Sequence, residues 1–210
     1  MKTDTLIDAL VADRMPRSKL RWTLAAALLA GGVVSLALFL ATLGVRADIE
    51  AALATWRFEL KVGLMLLALG LAFSLCIALS RPVAPAHPAR RLLPLAALAG
   101  LAIAVELLAL PSASWTSRLV GSNALVCLVA IPTLAIVPLA AVLSILRSGA
   151  PASPALAGGA AGLLAAAAAA ALYAFHCFDD SPLFVVTWYA LAALPVVALG
   201  AAAGHRLLRW

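Results

Sequence analysis

Apolar runs of about 20 residues recur along this 210-residue chain, and no other feature restricts its fold as strongly. Each run is long enough to cross a hydrocarbon core of about 30 Å as a helix. Backbone groups in lipid must be bonded within their own segment, so helices are the expected solution. The runs predict six spans at about residues 22–43, 60–80, 92–110, 122–146, 155–175 and 183–204. Composition agrees: 65% of residues are hydrophobic and 11% charged, against about a quarter charged in an ordinary soluble domain. The expected fold is an all-α, six-transmembrane-helix bundle.

Residues 1–21 are the only extended polar segment. Leu6, Ile7, Leu10 and Val11 are spaced along one face of a short helix, with Asp4, Asp8 and Asp13 off that face and Pro16 closing it. The first span is too long for a signal-peptide core and is expected to be retained. The chain therefore divides into an amphipathic segment at 1–21 and a bundle at 22–210.

Orientation follows from the basic residues. One side of the six-span layout receives eleven of them: Lys2, Arg14, Arg17, Lys19, Arg21, Arg81, Arg90, Arg91, Arg147, Arg206 and Arg209. The other receives four, Arg46, Arg57, Lys61 and Arg118. The bias places both termini in the cytoplasm of a multi-pass protein of the bacterial inner membrane. The formal charge of +6 is thus a topology signal, and no direct contact with nucleic acid is expected. No Gly-rich phosphate loop, Walker-type lysine or nucleophile elbow is present, which argues against an ATP-driven machine or a hydrolase.

The fifth span carries Gly158, Gly159 and Gly162 ahead of an alanine run over 165–171. Such small residues permit close packing and predict an interior helix. Pro132 and Pro138 in the fourth span and Pro195 in the sixth each remove a backbone donor.

Chemistry-bearing residues concentrate on the outer side. Cys127 falls about one turn inside the outer end of span four and Cys177 in the outer link between spans five and six, whereas Cys76 near the inner end of span two reads as packing. A disulfide and joint ligation of a soft metal ion are both open for the outer pair. His176, Asp179 and Asp180 stand beside Cys177 and suit a metal site or its support. Alternatively, Asp180 or Ser181 caps the sixth span ahead of Pro182. Glu106, about one turn inside span three, is open to function or to pairing with Arg118.

Certain segments together resemble the NrsF type of integral-membrane anti-sigma factor. They are Thr3–Leu10, Gly121-Ser122 ahead of Cys127 and Ile131-Pro132, His176–Phe184 with Trp188-Tyr189, and Arg206–Trp210. The resemblance implies a non-enzymatic regulator that sequesters an extracytoplasmic-function sigma factor and releases it on oxidative or heavy-metal stress. It also implies that Cys127 and Cys177 sense the signal, with no resident cofactor beyond a transient soft-metal ion at that pair. Leu6, Ile7, Leu10 and Val11 are the anchors expected to grip the sigma factor, or else to rest on the lipid bilayer. The alternatives are a small transporter or ion channel and a membrane thiol oxidoreductase. The first lacks polar residues near the midplane, and the second lacks a C-x-x-C pair or an evident quinone or flavin motif.

Overall fold

The computed structural model describes residues 17–83 and 86–209. The proposed anchors Leu6, Ile7, Leu10 and Val11 lie outside the described residues. Within them the chain forms six long helices: α1 (Arg17–Thr42), α2 (Trp56–Leu79), α3 (Leu93–Ala109), α4 (Ala124–Leu146), α5 (Pro154–Tyr173) and α6 (Pro182–Leu207). All six regions are long and apolar enough to cross a membrane. No strand occurs among the described residues. Among the described residues the first helix runs from Arg17, about five residues ahead of the expected start at 22.

The helices alternate in direction, so their links gather at two ends. The α1–α2 and α5–α6 links meet where Arg46 N–H donates to the Phe175 carbonyl at 3.0 Å. The α3–α4 link joins them through Trp188 Nε1, which donates to the Leu119 carbonyl at 2.7 Å. This is the cysteine end. At the opposite, terminal end, the α2–α3 and α4–α5 links meet where Ala152 N–H donates to the Arg81 carbonyl at 3.1 Å.

As its small residues predict, α5 is the central helix: 12 of its 20 residues are buried. Its backbone lies directly on that of α6. A Cβ on Gly158 would stand 2.2 Å from the Gly200 carbonyl, and one on Gly204 would stand 2.6 Å from the Gly158 Cα. Only glycines at this crossing allow the two helices to approach so closely. By contrast α3 is peripheral, with only Ala102 and Glu106 buried.

The prolines of α4 do not end the helix. Pro138 leaves the carbonyl of Leu134 without its helical donor. Ser35 on α1 supplies one, its Oγ donating to Leu134 O at 2.7 Å in a buried position. A neighbouring helix thereby repairs the break, as lipid requires.

Candidate functional site

The polar residues of the cysteine end form two linked ion-pair clusters. In the first, Asp180 accepts from Lys61 Nζ and from Arg46 Nη1, the latter at 2.8 Å. Arg46 also grips Asp48 with two bonds of 2.7 and 2.8 Å. Lys61 lies on α2, its side chain completely buried. A cation at such depth is costly unless paired and hydrogen-bonded. Here it has Asp180, the face of Phe58 at 5.1 Å and the Cys177 carbonyl at 2.8 Å. Arg46 Nη1 reaches the same carbonyl at 3.1 Å. The hydrogen bond to Asp48, joined by Asp180, raises the Arg46 pKa still further, and the same bond lowers that of Asp48.

The second cluster surrounds Glu106, whose carboxylate is buried. Arg57 donates to it at 3.1 Å, Arg118 pairs with it at 3.5 Å, and Ser181 Oγ donates at 3.1 Å. The expected pairing with Arg118 is present, with Arg57 as a closer partner. All four basic residues of this end are thus taken up by carboxylates.

The polar run at 176–181 does not converge on one point. His176 Nδ1 meets the Gly44 carbonyl at 3.1 Å. Asp179 instead accepts from the Ser122 and Asn123 backbone N–H groups at 3.0 and 2.8 Å and from Asn123 Nδ2 at 2.9 Å. It therefore closes the start of α4, where a carboxylate is favoured by the unpaired N–H groups and the helix dipole. Gly121 makes this approach possible: its φ is 57°, and a Cβ there would lie 2.8 Å from the Asp179 carboxyl carbon and 2.5 Å from the Phe184 ring.

This arrangement corrects the capping expectation. Ser181 does occupy the N-cap position ahead of Pro182, but its side chain makes no capping bond. It is turned to Glu106 because that buried carboxylate has the greater need of a donor, and Asp180 is held by the cations. Among the described residues, no group of three or more His, Cys, Asp or Glu side chains is placed to hold a metal ion.

Cys127 and Cys177 are both fully buried free thiols. Cys127 lies on α4 and Cys177 in the α5–α6 link. The Cys177 thiol donates weakly to the Asp179 carbonyl at 3.8 Å. Burial pushes the Cys177 pKa up, with Lys61 opposing the shift. Cys76 is likewise buried in the core, as expected for a packing residue. Beside Cys177 lie the phenols of Tyr173 and Tyr189, their rings 5.8 Å apart. Tyr189 sits in a π-helical turn, Val185–Tyr189, that widens the start of α6.

In the sequence, Arg46, Arg57 and Lys61 read only as topology charges, and Tyr189 as part of the family resemblance. Lys61 carried a signal, since an ionisable residue inside an apolar run marks a site that needs a partner. Tyr173 carried none.

The family model for NrsF, negative regulator of sigma F, matches residues 9–210. The chain belongs to the NrsF family. It is 36% identical over 217 residues to a probable anti-sigma-F factor NrsF of Azospira oryzae, covering all of both chains. It is 36% identical over 222 residues to the anti-sigma-F factor NrsF of Caulobacter vibrioides, again with full coverage of both. These NrsF relatives are regulators rather than enzymes. No solved structure matches the chain.

Proposed function

We propose that this chain is an anti-sigma factor of the bacterial inner membrane that holds an extracytoplasmic-function sigma factor inactive and releases it when an oxidant or a soft-metal ion reaches Cys127 and Cys177. The observation that carries this reading is the placement of two buried free thiols at the same end of the bundle, on elements far apart in sequence. Disulfide formation or metal capture would pull the α5–α6 link against the start of α4. The carbonyl of Cys177, held by Lys61 and Arg46, would move with it and pass the change to α2 and the α1–α2 link.

Topology gives the two ends their sides. The cysteine end carries six acidic against four basic residues, and the remaining eleven basic residues belong to the terminal end. On the positive-inside rule the terminal end is cytoplasmic and the cysteine end faces the oxidising compartment. The sigma factor then docks on residues 1–21, with Leu6, Ile7, Leu10 and Val11 as anchors, and DNA is reached only through that partner.

Co-purification of cytosolic partners tests this reading. The detergent-solubilised wild type is compared with a Cys127→Ser, Cys177→Ser variant, before and after exposure to peroxide or Cd²⁺. The expected result is a sigma factor lost from the wild type and retained by the variant. Loss from both proteins would overturn thiol gating, and a sigma factor on neither would overturn sequestration.

A further inference from the structure

The hydroxyls of Tyr173 and Tyr189 are buried and make no well-formed hydrogen bond among the described residues, approaching the weak acceptor sulfur of Cys177. The two residues are 0% and 4% exposed. Buried polar groups are nearly always satisfied, and an orphaned one needs a reason. Two such groups beside one another are a double cost to the reduced protein. Both belong to phenols next to the Cys177 thiol, which is a poor acceptor while it remains S–H.

We propose that Tyr173 and Tyr189 form a donor pair for oxygen on the Cys177 sulfur, making Cys177 the site of sulfenic-acid formation and the two tyrosines its positioning residues. The inference rests on the reading of Cys177 as a responding thiol and adds the chemistry of its first oxidised state. A peroxide supplies the oxidant. Its O–O bond breaks, an S–O bond forms on Cys177, and the second oxygen leaves as water with the thiol proton. The sulfur is oxidised and the peroxide reduced. The new oxygen is the acceptor that both phenols lack. Cys127 then attacks the sulfenic sulfur: the S–S bond forms, the S–O bond breaks, and a second water leaves.

The geometry separates the two thiols. Cys177 has the phenols and the nearby Lys61 cation, both suited to negative charge or oxygen on sulfur. Cys127, within α4 and just as buried, serves as the resolving thiol. The orphaned hydroxyls also predict opposite effects of one substitution on the two redox states. Tyrosine to phenylalanine keeps the ring packing and removes only the unsatisfied group. It should leave the reduced protein as stable as before or more so, while weakening the oxidised intermediate.

The test uses the full chain in lipid nanodiscs with Cys127→Ser, which leaves no resolving thiol. Hydrogen peroxide is added with a dimedone-type probe, and the adduct on Cys177 is quantified by mass spectrometry. Adding Tyr173→Phe and Tyr189→Phe together is expected to lower the adduct roughly tenfold, the scale of a lost hydrogen bond to a charged acceptor. The reduced double variant should melt at the same temperature or higher. An equal adduct yield with and without the phenols would overturn the proposal, as would no adduct on Cys177 at all. A sigma factor still released by peroxide from the protein lacking both Cys127 and Cys177 would instead overturn the thiol-gating reading, whatever the phenols do.

Discussion

The two ends of the bundle are held together by different physics. At the cysteine end, links from three parts of the chain are fastened by directional bonds: Asp180 to Lys61 and Arg46, Asp179 to the start of α4, and Glu106 to Arg57, Arg118 and Ser181. At the terminal end, no ion pair occurs among the described residues, and the contact between α5 and α6 is glycine on glycine at Gly158 and Gly204. The first arrangement has discrete partners and can be switched by altering one of them. The second depends on shape, which holds helices in place but offers a chemical signal nothing to act on. The proposed thiol gating would need both: a switchable end and an anchored one.

The sharpest way to break the contrast is to remove Asp180. Asp180→Ala leaves Lys61 buried without its carboxylate, and unfolding in detergent should show a loss of about 3–5 kcal/mol. A Lys61→Met, Asp180→Leu protein should recover most of that loss, because the penalty comes from the unpaired charge. Failure of the double variant to recover would mean that Arg46 is the principal partner.

The shape-held end is probed next. Gly200→Ala forces a Cβ to within 2.4 Å of the Gly158 carbonyl and should cost about 1–3 kcal/mol of thermal stability. Gly159→Ala meets nothing nearer than 3.7 Å and should be near neutral in the same melt. If the two substitutions behaved alike, close approach would not be what holds α5 to α6.

Asp179→Ala removes the carboxylate at the start of α4 and is expected to cost about 1 kcal/mol, the usual scale of a lost cap. Hydrogen exchange should rise at Ser122 and Asn123 while α5 stays protected. On the terminal end, Arg90→Ala changes an exposed residue and should stay within about 0.5 kcal/mol.

The smallest effect concerns acid. Arg46 lowers the Asp48 pKa, so this pair contributes stability above the ordinary carboxylate range that is lost as pH falls through the depressed value. Asp48→Asn should therefore be slightly less stable than the wild type at neutral pH, match it at low pH, and flatten the acid limb of a stability-against-pH curve. An unchanged acid limb would show that the Arg46–Asp48 pair contributes nothing measurable.

The spans were legible because apolar length alone answers the bilayer. The ends of α4 and α5 fall within two residues of the expected positions, and Pro154 and Pro182 start helices where the sequence has turn residues before them. The interior position of α5 was also legible, since a run of alanine and glycine has little else to offer than close approach. Its partner was not: Gly200 and Gly204 look like ordinary span residues until α6 lies against Gly158.

The polar run at 176–181 was legible as important and misleading as to role. Adjacency in sequence suggests a shared ligand, but neighbouring residues in a link point in different directions. Each therefore found a separate partner: Gly44 for His176, the α4 N–H groups for Asp179, and Arg46 with Lys61 for Asp180. Those partners are 56 to 134 residues away, beyond the reach of any spacing argument.

By itself the sequence determined the six helices, their alternation and the end at which each charge and cysteine lies, because hydrophobic length and charge placement act locally along the chain. Tertiary structure alone decided which carboxylate meets which cation, which thiol has the phenols and where a serine replaces the donor that a proline removed. Those choices depend on hydrogen-bond geometry across helix interfaces, where a difference of about 1 Å separates a bond from an orphaned group.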